Sequence, residues 1–507
     1  MKSPWLTRLV FAILAGSIFL LFINNQLSDK LADPDAFYHM KMAQLMVQQG
    51  VIKDFWWLPY TTLSQHYIDQ HLLFHVLMIP FVTFGNAFVG IKIFASLLGT
   101  LALVLLARLL WALKLRWWLP MSVLLALTVT FTFRMNLVKA TPLSLILLYG
   151  IIWCLAQRKY YWLMVLNVVY VWTYGGFAIA LIITLTWFIS QCITIVTNST
   201  WRQRDFWLEQ SKLIGAVLGG MILGVIINPY FPNNLYFYWD QLVQIGIINY
   251  QDKIGVGSEW YPYEPSQLLL SSLLLTISAL GGLLTIIIKR KRLTQLDWFG
   301  LGLAVIGTVL TFKSRRYVEY FGPFITIAAA IWLDHLDITW WQVKRWLTGA
   351  LRPLLSSVAL LVVVFIQVLP IIVKDQQQNM NDVRGGIPIN KYQAAASWLA
   401  SHGEPHTKVL HSDWDDFPSL FYYDSKHAYM AGLDPTFMYR YNQELYWLWV
   451  NITIGKYNED IDAALHKLNV KYVFIEQDHR SMYQLIKKSK QAVLVYHDNE
   501  ASIFAIQ

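Results

Sequence analysis

The sequence predicts an α-helical polytopic membrane protein that ends in a soluble extracytoplasmic α/β domain. Three observations carry this prediction. Of the 507 residues, 56% are hydrophobic and only 14% charged, against about 25% charged in ordinary globular domains. Such a chain cannot cover itself with polar surface in water. Apolar stretches near bilayer length recur from residue 9 to residue 373, and after Lys374 the composition turns polar with short strand-like runs. The aromatic content of 23 Trp and 27 Tyr suits belts at headgroup level. The net charge of +9 is gathered in short clusters between apolar spans. That is the positive-inside pattern and not a nucleic-acid footprint, so the expected surroundings are a lipid bilayer and no nucleic acid is expected.

Taken in order, the first span runs from Leu9 to Ile23 behind Lys2 and Arg8. No A-x-A-like site follows it, so an uncleaved anchor is expected in place of a signal peptide. Further spans lie near 86–113, 117–133, 142–157, 160–173, 175–197, 211–229, 266–288, 297–312, 317–333 and 354–373, about eleven helices at ~20 residues each. With the N-terminus in the cytoplasm, the cytoplasmic connections hold Lys114/Arg116, Arg158/Lys159, Arg202/Arg204, Lys289 to Arg292 and Lys344/Arg345/Arg352. All are basic, as the rule requires. An odd number of spans puts the C-terminus outside, together with loops 24–85 and 230–265.

The expected organisation is a transmembrane domain over 1–373 and a soluble domain over 374–507, joined at the polar stretch Gln376-Gln377-Gln378-Asn379. In the soluble part, residues 408–411, 470–475, 492–496 and 502–506 read as strands, and 461–468 and 482–488 as helices. Cys154 and Cys192 lie in apolar spans and read as small hydrophobes. Two external turns, Arg134/Lys139 and Lys313/Arg315/Arg316, are basic on the wrong face. They either snorkel to headgroups or form a site for a lipid phosphate, which the planar guanidinium fork suits.

The chemistry gathers outside the first span, in Asp33-Pro34-Asp35-Ala36-Phe37-Tyr38-His39-Met40-Lys41. Two carboxylates around a proline can address one ligand, and hard oxygen ligands select Mg²⁺ or Mn²⁺. A cation there would neutralise charge growing on a phosphate. Either acid can equally cap the helix that starts at Ala36. That helix, to Gln49, is amphipathic and is expected on the membrane surface. Further along, Asp69 and His71 read as polar lining of the same site, and the His71/His75 spacing also allows zinc, although no Glu follows the first His. The loop 230–265 ends in Gly255-Val256-Gly257-Ser258-Glu259, either a solvated glutamate or a lid carboxylate. His411 to Pro418 follow a predicted strand, a place where sites collect but also one where acids cap helices.

Together these pieces resemble the GT-C class of membrane glycosyltransferases and, within it, the catalytic subunit of oligosaccharyltransferase. Asp35-Ala36-Phe37-Tyr38-His39-Met40-Lys41 is similar to the family's first-loop motif, Val256-Gly257-Ser258-Glu259 to the end of its long lid loop, and Arg315-Arg316-Tyr317-Val318-Glu319-Tyr320 to a helix start that faces the site. Trp414-Asp415 resembles part of the family's W-W-D motif. The resemblance implies Asp35, with Asp33 and Glu259, as catalytic acids, and Asp35 with Glu259 as ligands of the divalent cation. It implies substrate contacts at His39, Asp69, His71, Arg315, Arg316, Trp414 and Asp415. The implied partners are a polyprenyl-phosphate or -diphosphate sugar donor and a protein or glycan acceptor outside the plasma membrane. The family's second acidic motif is missing, because the turn Arg134 to Lys139 has no acid. The alternatives are a polysaccharide or lipid transporter, or a non-catalytic subunit of an envelope glycan assembly complex. Few charges inside the spans and no repeated halves weigh against transport.

Overall fold

The structure is a computed structural model that describes residues 4–197, 204–288, 292–336 and 369–507. The basic residues Arg202, Lys289 to Lys291, Lys344, Arg345 and Arg352, and the expected last span up to residue 368, lie outside the described residues. The other ten apolar stretches are helical: Pro4–Asn25, Ala87–Ala112, Trp118–Ala126 with Val129–Asn136, Thr141–Gln157, Tyr160–Thr173, Ile179–Thr197, Arg204–Ile226, Pro265–Ser271 with Leu273–Ile288, Gln295–Lys313 and Val318–Leu333. Among the described residues five helices are long and apolar enough to cross a membrane. The number rises to seven if the two pairs bent by 69° and 87° each count as one span.

Local sequence explains where several helices begin. Asn86 caps Ala87–Ala112 by accepting from the amides of Phe88 and Val89. Thr294 and Asp297 form a reciprocal capping box at Gln295. Pro142 and Pro265 stand in first turns, where a missing N–H costs nothing. Val318–Leu333 is buried along its whole length, as a helix apolar on every side must be. It packs against Leu273–Ile288, Gln295–Lys313 and both halves of the bent pair 118–136.

Two features of the first external loop differ from expectation. The apolar helix Leu72–Thr83 lies inside the stretch 24–85 read as an external loop. The helix Asp35–Gln49 starts where predicted, but Ala36, Phe37, Tyr38, His39, Met40, Met42, Ala43, Leu45 and Met46 are all buried. Protein covers the side expected to meet lipid. The helix is wedged between Leu72–Thr83 and the C-terminal helix Phe417–Tyr423, with Phe37 in edge contact with Phe88 and Tyr422.

Strands β1 (Lys30–Leu31) and β2 (Ile387–Pro388) pair antiparallel and tie this loop to the chain 350 residues on. The stretch read as a linker is helical through residue 384, and its Gln376 and Asn379 side chains donate to Leu127 O and Thr132 Oγ1 of the membrane helices. The C-terminal sheet contains β3 (Lys408–Leu410), β4 (Ala428–Tyr429), β5 (Tyr472–Glu476), β6 (Ala492–His497) and β7 (Ala501–Ile506) in the order β4-β3-β5-β7-β6. The β4, β3 and β5 strands run parallel, and β7 and β6 are antiparallel additions. Phe55 and Trp57 of the first loop pack on Phe421, and Arg440 pairs with Asp240 of the long loop. The site therefore lies where the first loop, the long loop and the C-terminal domain meet.

Candidate functional site

A cavity of about 420 Å³ opens at this junction. Its wall includes Asp33, Asp35, His39, His71, Arg134, Lys139, Glu259, Arg316, Trp414 and Asp415. Segments separated by more than 200 residues converge here through folding alone.

The first wall is the start of Asp35–Gln49. Asp33 Oδ1 accepts from the Asp35 amide at 2.8 Å, so the carboxylate does fix the turn into the helix. Its other oxygen is free for a second partner, and Lys139 Nζ takes it at 3.0 Å. The same ammonium lies 3.0 Å from Asp35 Oδ2 and 3.7 Å from Glu259 Oε2. Burial pushes the Asp33 carboxyl above its usual range, opposed by Lys139 and reinforced by Asp35 and Glu259. Burial disfavours the charged Lys139, yet the carboxylates of Asp33, Asp35 and Glu259 outweigh it and hold the ammonium above its ordinary value.

The second wall is the end of the long loop. Glu259 accepts from Arg134 Nη1 at 2.8 Å and from Arg316 Nη1 at 3.3 Å. Despite burial, Lys139 together with Arg316 and Arg134 holds its carboxyl below the usual range. The loop is seated: Ser314 Oγ donates to Glu259 O, and Asn249 Nδ2 donates to Trp260 O. Arg316 also stacks over the Trp260 ring at 5.0 Å. Arg134 reaches on to Glu319, which is 1% exposed, through Nε and Nη2 at 3.2 and 2.9 Å. Arg315 does not join them. It is exposed and donates through Nε to Pro262 O at 3.1 Å.

Behind the first wall runs a buried chain. Asp69 Oδ2 lies 2.6 Å from His75 Nδ1, and His75 Nε2 lies 2.7 Å from His39 Nδ1. A carboxylate can only accept, so His75 carries a proton on Nδ1; with His75 neutral, its Nε2 accepts and His39 carries its proton on Nδ1. The lone pair of His39 Nε2 is left for the cavity. Asp69 is thus a rear member of the chain and not part of the lining. His71 does line the cavity, and burial with the neighbouring His75 pushes it down to about 3, so it is neutral. The His71/His75 pair reads as no zinc site, since His75 is committed on both nitrogens.

The third wall comes from the C-terminal domain. Trp414 lies on the Gly257 turn of the loop. Asp415 is pushed up to about 6 by burial and by Asp413 and Glu476, against Lys391. Asp413 acts as a cap for the short turn 414–416. Sequence reasoning did not assign Glu319, His75 or Lys139 individual roles. Glu319 was legible as an acid in the first turn of an apolar helix, and Lys139 as a cation on the wrong face.

The residues present do not fit the Mg²⁺ or Mn²⁺ ligand set expected at Asp35 and Glu259. Such ions need several free oxygen ligands around one point. Here the point shared by Asp33, Asp35 and Glu259 is taken by an ammonium, and both Glu259 oxygens are bound by guanidinium groups. Among the described residues no group of three or more His, Cys, Asp or Glu is arranged to hold a metal ion.

No family model matches the sequence, and no curated protein matches it. Solved structures do. The archaeal oligosaccharyltransferase AglB from Archaeoglobus fulgidus, in complex with an inhibitory peptide and a dolichol-phosphate, is 13% identical with a TM-score of 0.64 over 99% of this chain and 75% of its own. ArnT from Cupriavidus metallidurans bound to undecaprenyl phosphate is 13% identical, with a TM-score of 0.55 over 100% of this chain and 98% of its own. The arabinofuranosyltransferase AftD from Mycobacteria is 13% identical, with a TM-score of 0.59 over 98% of this chain and 40% of its own. The chain therefore has the fold of the GT-C membrane glycosyltransferases and, among them, resembles the oligosaccharyltransferase catalytic subunit.

Proposed function

We propose that the chain is an integral-membrane glycosyltransferase. It moves a sugar or oligosaccharide from a polyprenyl-phosphate or -diphosphate donor to a protein, glycan or lipid acceptor outside the cytoplasmic membrane. One observation carries this reading: Asp35, Glu259 and Arg316, from three distant segments, face one cavity on a fold shared with such transferases.

In this reading the cationic side is Lys139, Arg134 and Arg316. Fixed cations in a shielded cavity stabilise charge that develops on a departing phosphate without reorganising. Asp35, whose side chain is one-third exposed, is the carboxylate within reach of an acceptor, and it orients the acceptor and takes its proton. His39 Nε2 offers a second, neutral acceptor fixed by Asp69 and His75. Trp414 and Asp415 form the acceptor-side wall, and Arg315 receives the lipid phosphate at the rim before transfer. Sugar passes directly from donor to acceptor, and no covalent enzyme intermediate is required.

The test is turnover of a polyprenyl-linked sugar donor by the purified full-length chain. Asp35→Asn is expected to lower the rate by about 100-fold or more with an unchanged melting temperature. Full activity in that variant would end the reading.

A further inference from the structure

We infer that Lys139 is a built-in cation that stands in the acid cluster where a divalent ion would otherwise sit, so that the site works without one and a divalent-cation site is latent beneath it. The activity half of this inference rests on the proposed glycosyl transfer. The binding half does not.

The geometry is specific. One ammonium has three N–H donors, and three carboxylates surround Lys139 Nζ at 3.0, 3.0 and 3.7 Å. Its stem is not a mobile surface chain. The side chain is 12% exposed, it leaves a tight turn in which the Lys139 amide donates to Leu137 O at 2.9 Å, and Leu137, Val138 and Ala140 on either side are buried. Long lysine stems placed this way cannot snorkel to headgroups.

The charges come within one unit of balance without a metal. Asp33, Asp35, Glu259 and Glu319 face Lys139, Arg134 and Arg316, four acids against three fixed cations. A divalent ion entering beside a retained ammonium would bring two like charges within contact distance in a shielded pocket, where their repulsion is little screened. It could enter only if Lys139 left. The turn Arg134 to Lys139, which holds no acid, thus contributes charge directly where a carboxylate motif would contribute a metal ligand. Cutting Lys139 back leaves Asp33, Asp35 and Glu259 without their shared cation; as they stand they are not spaced for a metal ion, and Mn²⁺ or Mg²⁺ would have to draw these hard oxygens inward.

The experiment titrates Mn²⁺ into the chelator-treated full-length protein in detergent and reads free Mn²⁺ by electron paramagnetic resonance. Wild type and Lys139→Arg are expected to leave Mn²⁺ free. Lys139→Met is expected to bind one Mn²⁺ at least about ten-fold more tightly than wild type, and adding Asp35→Asn to it should abolish that binding. Saturable binding to wild type that Asp35→Asn removes would overturn the inference. So would a folded Lys139→Met chain, judged by its melting curve, that binds no Mn²⁺. Should Lys139→Met fail to fold, Lys139→Gln replaces it and wild-type binding still decides. In donor turnover, chelator is expected to leave the wild-type rate within about two-fold and to silence Lys139→Met until Mn²⁺ is restored. Chelator loss with Mn²⁺ rescue in wild type would also overturn it. If no sugar transfer is found with any donor, the glycosyltransferase reading fails while the Mn²⁺ titration still stands or falls alone.

Discussion

At the scale of single residues, Asp33, Asp35, Glu259 and Glu319 each have a cation beside them, and each partner lies far away in sequence. Asp33 shows what this does to titration. Burial, with Asp35 and Glu259 nearby, raises its carboxyl to about 6 from 3.8. A carboxyl that binds its proton more tightly folded than unfolded makes the fold more stable at low pH. Stability from this group is therefore present below pH 3.8 and is lost as pH rises through about 6. The Asp33→Asn variant keeps the cap on the Asp35 amide but has no proton to lose. Its melting temperature is expected to gain on that of wild type between pH 4 and 7, and parallel melting curves across that range would refute the assignment. The composition and order of Asp33, Asp35, Glu259 and Arg316 were legible in the sequence. The pairing was not, because nothing local distinguishes a lysine bound for headgroups from one bound for three carboxylates. Lys139 becomes informative only when the chain around it is buried.

At the scale of elements, hydrophobic periodicity found what it is able to find. Ten apolar stretches became helices, and four strands and two helices of the C-terminal domain lie within a few residues of their expected places. It failed where burial is decided by tertiary contacts. The helix Asp35–Gln49 has the pattern of a membrane-surface helix but is enclosed by protein, and Leu72–Thr83 is too short to register as a span. Strand pairing between β1 and β2 left no signal, since two residues carry no period. That pairing nevertheless sets the entry to the site, two residues before Asp33. Gly386 permits it: a methyl group at this position would lie 2.0 Å from Leu31 O and 2.7 Å from Leu31 C, both backbone atoms that cannot yield. Gly386→Ala is expected to destabilise the chain by about 1–3 kcal/mol, the usual cost of overpacking. At Gly255 an added methyl meets open space, so Gly255→Ala serves as the reference. Equal melting temperatures for the two variants would show that the pairing is dispensable.

At the scale of the whole molecule, the cavity is shared between membrane helices and a domain that must be in water. The described helices, the long loop and the five-stranded sheet fix only that the first loop, the loop ending at Glu259 and the C-terminal domain lie on one side together. The side expected is argued from charge. The connections at Lys114/Arg116 and Arg158/Lys159 lie at the opposite ends of helices that lead into the cavity, and basic connections remain in the cytoplasm. Arg116 and Arg158 are moreover paired, with Asp334 and Glu209, so their charge belongs to that face and is not held by lipid alone. Of the cations on the other face, Lys139, Arg134 and Arg316 are neutralised by acids within the site and do not oppose this orientation, whereas Lys313 and Arg315 bond to backbone carbonyls. The resulting expectation concerns single cysteines placed in a chain whose Cys154 and Cys192 have been replaced by alanine. A cysteine at exposed Asn458 of the C-terminal domain should react with an impermeant maleimide in intact cells. A cysteine at exposed Lys159 should react only after the membrane is opened. The reverse pattern would put the acids, the guanidinium groups and the C-terminal domain in the cytoplasm, and with them any donor whose sugar is reached from outside.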